Sequence, residues 1–169
     1  MSALQKKWKW SLTAAAALIL IAVGLNWIYN MISRAEWTVQ RAAVATAYEK
    51  TALTKVKIVE PFTSDKSYTV ITGEDKLGQP LYVWISSEGE LRSELAANGV
   101  AGEAMAEKVK ARQPTAEILR VIPGIQNDKP IWEVFYTYTP EGQKQEQHFY
   151  DYYQFNDGTL IDTWRLTIQ

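Results

Sequence analysis

Hydrophobic and polar residues change their spacing three times along this chain of 169 residues. An apolar, uncharged run extends from Ser11 to about Ile32. After it, Trp37, Val44 and Tyr48 recur near helical spacing among good helix formers. Short runs with alternating apolar and polar residues then fill most of the remaining chain. These patterns predict an apolar helix, an amphipathic helix and strands.

The first run has the length of a transmembrane helix, which requires about 20 residues. Trp10 precedes it and Trp27 lies near its end, and a helix with about 1.5 Å rise per residue places them roughly 26 Å apart. Tryptophan is enriched at both membrane interfaces. We therefore expect a membrane anchor over residues 11–32.

The charges around this run predict its orientation. Lys6, Lys7 and Lys9 precede it, and the first acidic residue is Glu36. By the positive-inside rule, residues 1–10 are a short cytoplasmic N-terminus and the rest of the chain is extracytoplasmic. A cleaved signal peptide is the alternative, but the exit GLNWIYNMISRAEW offers no good small-x-small cleavage site. We expect an uncleaved, single-pass signal anchor in the cell membrane.

A helix followed by strands is predicted twice after the anchor. The first helix lies in RAEWTVQRAAVATAYEKTAL, and strand-like TKVKIVEPF, KSYTVITGE and QPLYVWISS follow it. AGEAMAEKVKAR is the second helix, before TAEILRVI, PIWEVFYTY, QEQHFYDYYQF and TLIDTWRLTI. DK at 65–66 recurs at 128–129, and SSEGEL at 86–91 recurs as FNDGTL at 155–160. This order indicates an internal duplication.

The predicted fold class is α+β, with two small modules over residues 33–98 and 99–169. In each module a helix packs on an antiparallel sheet, and hairpins such as TGEDKLG connect the strands. SELAANGV at 93–100 is the predicted hinge. Modules of this size gain stability by docking on each other.

Alternation assigns two faces to the second sheet. The predicted core face carries Trp132, Val134, Tyr136, Phe149, Tyr153, Phe155, Trp164, Leu166 and Ile168. The opposite face, an aromatic and polar mixture typical of contact surfaces, carries the candidate partner surface: Glu133, Phe135, His148, Tyr150, Tyr152 and Arg165. Alternatively, this face packs against the first module or is solvated, and a slip of one residue would exchange the faces.

Composition removes several classes of function. The chain has no cysteine and one histidine, so thiol chemistry, disulfides and zinc motifs with two histidines are excluded. Beyond the three N-terminal lysines the net charge is 15 − 19 = −4, with no basic patch for nucleic acid. His148 and Asp151, three apart on a strand, point to opposite faces and form no dyad. We expect no enzyme, cofactor or metal, although two distant carboxylates could still meet in space.

The order of these parts resembles the TseB family of Gram-positive bacteria, formerly called YpmB. The resemblance rests on the anchor, on strands ending in SSEGEL, and on KPIWEVFYTY followed by FNDGTL. The strand endings also resemble those of PepSY domains. The resemblance implies cystatin-like or PepSY-like modules and a regulator of cell-wall elongation that acts on a class B penicillin-binding protein in peptidoglycan synthesis. It implies no catalytic residues. A PepSY-like peptidase inhibitor or peptide-binding module is the alternative.

Overall fold

The computed structural model describes residues 19–27 and 37–166. The chain divides into two compact units, residues 1–42 and 43–169. Residues 19–27 are helical, and none of the helices in the described ranges is both long and apolar enough to cross a membrane. Of the predicted anchor residues, Trp27 lies in this helical stretch. The others lie outside the described residues: Lys6, Lys7, Lys9 and Trp10.

Two helices, one short 3₁₀ helix and eight strands make up the rest of the described structure. The helices are α1 (37–50) and α2 (Gly102–Arg112), and the 3₁₀ helix is Ala96–Asn98. The first sheet contains β1 (Lys55–Thr63), β2 (Ser67–Glu74), β3 (Pro80–Ser86) and β4 (Leu91–Leu95). The second contains β5 (Glu117–Gln126), β6 (Lys129–Tyr138), β7 (Gln147–Gln154) and β8 (Leu160–Leu166). In both sheets the strands are antiparallel and follow the order of the chain.

The prediction of two antiparallel sheets, each preceded by a helix, is confirmed. The dipeptide DK at 65–66 lies directly before β2, and DK at 128–129 consists of the last residue before β6 and the first residue of β6. SSEGEL connects β3 to β4, as FNDGTL connects β7 to β8. The predicted hinge at 93–100 is wrong in part, because it contains the end of a fourth strand, β4, and the 3₁₀ helix. Three polar residues between Leu91 and Leu95 conceal the apolar alternation of that strand.

The core of the first sheet is covered by α1. Ala43 and Ala47, one helical turn apart, pack on Ile71 and Val83 of the central strands. The predicted helix is correct, but its buried stripe is made of alanines. Tyr48, expected on the apolar face, is 46% exposed.

The core of the second sheet is covered by α2 through Met105 and Val109, both fully buried. Six predicted core residues are buried there: Trp132, Val134, Tyr136, Phe149, Tyr153 and Phe155. Trp164 and Leu166 were predicted in this core, and that prediction is wrong, since they are 54% and 46% exposed. Ile168 lies outside the described residues.

The second face of each sheet packs against the other sheet. Phe62 and Trp84 from the first sheet share a buried cluster with Ile122 and Tyr152 from the second. The Trp84 Nε1–H donates to the carbonyl of Pro123 at 2.9 Å. Residues 43–169 therefore form one compact unit with a shared interior, and the module boundaries at 33–98 and 99–169 stay predictions.

Candidate partner surface

Three residues of the predicted surface form a row of rings across β6 and β7. Phe135 stacks on Tyr150 with ring centroids 4.5 Å apart and on His148 at 5.6 Å. All three side chains are half-buried. Strand pairing explains the row, because Phe135 lies directly opposite Tyr150 in the ladder.

Two residues of β8 extend this row on the same face. Trp164 pairs with Tyr150, and Leu166 pairs with His148. Their side chains are about half exposed, since β8 is the last strand of the sheet. We call these residues the aromatic strip: Phe135, His148, Tyr150, Trp164 and Leu166. Exposed aromatic and aliphatic side chains in one contiguous patch are typical of protein contact surfaces.

Glu133 and Tyr152 were predicted on the exposed surface, and that prediction is wrong. Both are buried, at 5% and 8% exposure, because the first sheet covers this end of the face. The Glu133 carboxylate accepts a hydrogen bond from Arg120 at 2.6 Å. Burial, and secondarily the Glu133 carboxylate beside the hydroxyl, raise the pKa of Tyr152. The alternative in which this face packs on the first module thus holds for these two residues.

Arg165 also departs from its predicted position. It is exposed but pairs with Phe149, so it lies on the face of α2 and not on that of Tyr150. The register between β7 and β8 shifts at Tyr152 and Tyr153, where Ile161 is an extra residue. A bulge of this kind exchanges the faces of the residues on either side of it.

A groove of about 440 Å³ adjoins the aromatic strip. Its lining includes Tyr150, Trp164 and Leu166 together with Pro61 and Thr63 of β1. Three charged residues also line it: Arg120, Glu133 and Arg165. The groove is therefore continuous with the exposed part of the strip. A larger open depression of about 600 Å³ lies elsewhere, near Arg92, and most of the residues that line it are polar.

Sequence reasoning missed a buried polar network around Asp151. This carboxylate is fully buried on the α2 face of β7 and accepts hydrogen bonds from Thr163 at 2.6 Å, Tyr153 at 2.9 Å and Tyr136 at 3.2 Å. It also forms an ion pair with Arg112 at the C-terminal end of α2. Alternation contained the signal, since Asp151 falls between Phe149 and Tyr153 on the predicted core face. The network ties α2 to three strands.

The described residues contain no arrangement that indicates catalysis by His148. Its ring stacks on Phe135, while Asp151 lies on the other face with partners of its own. Within residues 19–27 and 37–166, no group of three or more His, Asp or Glu side chains is placed to hold a metal ion.

Comparisons with known proteins agree with the resemblance seen in the sequence. Residues 42–86 match the family model described as the cell wall elongation regulator TseB-like domain. The chain is 29% identical over 122 residues to the probable cell wall elongation regulator TseB of Bacillus subtilis (strain 168), covering 71% of this chain and 73% of that protein. The solved structure of the YpmB protein from Bacillus subtilis matches with a TM-score of 0.63 and 28% identity, over 75% of this chain and 96% of that one. The resemblance to the TseB family is confirmed by the match of residues 42–86 to the family model and by the similarity to these two relatives.

Proposed function

We propose that this chain is a non-catalytic, single-pass membrane protein that regulates cell wall elongation by binding a wall-synthesis enzyme through the aromatic strip. The strip is the observation that carries the proposal. It presents half-exposed Trp164 and Leu166 beside the stacked rings of Phe135 and Tyr150. The name of the relative in Bacillus subtilis supports the regulatory role.

The side chains of the aromatic strip are of the types that contribute most to protein binding. Trp and Tyr dominate binding energies at protein interfaces because they bury a large area and lose little conformational entropy. In the strip, the stacking of Phe135 on Tyr150 already restricts both rings before any partner binds. A pre-ordered patch of this kind favours a protein partner of matching shape.

The proposed partner is a class B penicillin-binding protein in the same membrane. The apolar run at 11–32 with its preceding lysines supports an N-terminus in the cytoplasm and an extracytoplasmic binding unit. Two proteins anchored in one membrane meet at a high effective concentration, so an interface of modest affinity is sufficient.

Capture of the transpeptidase by the full-length chain in its membrane tests this proposal. We expect Tyr150→Ala and Trp164→Ala each to reduce capture by about tenfold, the effect of losing one central aromatic contact of about 1.4 kcal/mol. Leu77→Ala is the matched control, because Leu77 is 82% exposed and lies in the turn between β2 and β3. Equal capture by Trp164→Ala and Leu77→Ala, with both variants folded, would refute the proposed surface.

A further inference from the structure

The edges of the two sheets differ in how well they are protected against pairing with another strand. β1 carries Lys55, Lys57 and Pro61, and its ladder has a bulge between Val56 and Ile58. Lysine, proline and bulges are the features that natural proteins use to block edge pairing. β4 is protected differently, because it has five residues and most of them are polar.

The edges of the second sheet show the contrast most clearly. β5 contains Pro123 and a bulge, and its Ile122 and Ile125 are buried against the first sheet. β8 has seven exposed residues, contains no proline or lysine, and is regular after the bulge at Ile161. β8 shares the bulge, and three of the five residues after it are polar. Of the edges among the described strands, however, it is the one that combines the absence of proline and lysine with exposed large apolar side chains, Trp164 and Leu166.

The backbone of β8 offers hydrogen bonds on its outer side. The N–H of Thr163 donates to the carboxylate of Asp162 at 2.8 Å, so it does not point toward β7. Backbone groups in an antiparallel strand alternate between the two sides, and Arg165 therefore shares the outward direction of Thr163. The exposed Asp162 carboxylate covers the outward N–H of Thr163 and also accepts a hydrogen bond from Trp164 Nε1–H at 2.5 Å, so an added strand has to displace it from both donors.

The groove beside the aromatic strip continues from this edge. A strand added to β8 would place alternate side chains next to Trp164 and Leu166, which line the groove. Main-chain hydrogen bonds then supply affinity, and a pocket for alternate side chains supplies specificity. The edge and the groove together fit an extended peptide.

We infer that β8 binds an extended peptide segment of the partner as a fifth strand of the second sheet, with an apolar side chain of that segment in the groove beside Trp164. This inference rests on the proposed function and specifies how the partner is bound. A segment of this kind alternates apolar and polar residues, so that one face enters the groove and the other faces water.

A second copy of the chain fits the same edge less well. A twofold antiparallel pairing of β8 centred on Thr163 places Asp162 of each copy opposite Trp164 of the other. The same pairing places Arg165 of each copy opposite the bulged Ile161 of the other, so the bulge interrupts the ladder at both of its ends. The structure therefore favours a peptide from another protein.

The test uses the full-length chain in lipid nanodiscs and a displayed library of random peptides of about ten residues, the length of a long strand. We expect enriched peptides to have apolar residues at alternate positions and to lose binding when alternate backbone amides are N-methylated. We expect Arg165→Pro to weaken their binding about tenfold, because it removes one outward N–H at an edge position that tolerates proline. Arg165→Ala is the matched control and should change binding less than about threefold, the effect of a rim charge.

The outcomes separate this inference from the proposed function. Enriched peptides without alternation, equal binding by Arg165→Pro and Arg165→Ala, or pairing of two copies through β8 would each overturn the strand-addition inference. If transpeptidase capture is lost in Trp164→Ala but unchanged in Arg165→Pro, the proposed function stands and strand addition is wrong. If the peptides bind β8 as expected but no transpeptidase is captured, the proposed partner is wrong and the peptide-binding edge stands.

Discussion

The shared interior of the two sheets predicts a large effect of adding one methyl group at Gly124. A Cβ atom built there lies 2.3, 2.5 and 2.6 Å from three ring atoms of Phe62. Phe62 is 2% exposed and belongs to the cluster that joins the sheets. The contact is more than about 1 Å shorter than the normal separation of carbon atoms, which is about 3.5–4.0 Å. The Gly124→Ala variant therefore has to displace the ring or the strand.

The neighbouring backbone limits how far β5 can move. The carbonyl of Pro123 accepts from Trp84 Nε1–H at 2.9 Å, and the carbonyl of Ile125 accepts from the Ser64 hydroxyl at 2.5 Å. Overpacking of a buried site costs about 1–3 kcal/mol, and a position fixed on both sides falls at the upper end. We expect Gly124→Ala to lower the free energy of unfolding by about 2–3 kcal/mol, or the melting temperature by roughly 5–12 °C.

A double-mutant cycle with Phe62→Leu tests the cause of this destabilisation. The smaller Leu side chain removes the ring atoms that meet the new Cβ. We therefore expect the loss of unfolding free energy in the double variant to be smaller than the sum of the two single losses, by about 1 kcal/mol or more. Thermal unfolding followed by tryptophan fluorescence measures all four proteins. Additive effects, or a Gly124→Ala variant as stable as the parent chain, would refute the close approach of β5 to Phe62.

Two further predictions concern buried polar groups. Asp151→Ala should lower the free energy of unfolding by about 2–3 kcal/mol, because it leaves the buried hydroxyls of Tyr136 and Tyr153 without their acceptor, whereas Arg112 is 38% exposed and stays in contact with water; a loss below about 1 kcal/mol in urea unfolding would contradict the network. Burial raises the folded-state pKa of Tyr136, Tyr152 and Tyr153 above the ordinary value of 10.0. The contribution of these three phenols to the free energy of unfolding is therefore complete below about pH 10. It is lost as the pH rises further, by up to about 1.4 kcal/mol per pH unit for each group. Chemical unfolding from pH 8 to about pH 11 checks this, and stability independent of pH above 10 would show that the three phenols ionise freely in the fold.

Much of the fold could be predicted because it follows from local periodicity. The helix face of the second sheet repeats every two residues through Trp132, Val134 and Tyr136, and all three are buried as expected. The dipeptide DK occurs at the first turn of both sheets. SSEGEL at the third turn of the first sheet corresponds to FNDGTL at the third turn of the second. Alternation also indicated Asp151, which stands among apolar residues on a core face.

The remaining errors come from long-range pairing, which periodicity does not contain. Tyr152 and Glu133 alternate as exposed residues would, yet the first sheet covers them. One extra residue at Ile161 moves Trp164 to the face of Tyr150 and Arg165 to the opposite face. Which residues lie on the exposed face of the second sheet therefore depends on a bulge and on sheet docking, and the alternation of apolar and polar residues shows neither.

Site-specific photo-crosslinking in the native membrane shows whether the aromatic strip contacts the transpeptidase. A photoreactive amino acid replaces Trp164 in the full-length chain, and the same amino acid at Leu77 serves as the control on a remote exposed turn. We expect a crosslink from position 164 to a class B penicillin-binding protein, and none to that protein from position 77. Equal labelling of the transpeptidase from both positions, or from neither, would contradict the proposal that the aromatic strip is its binding surface.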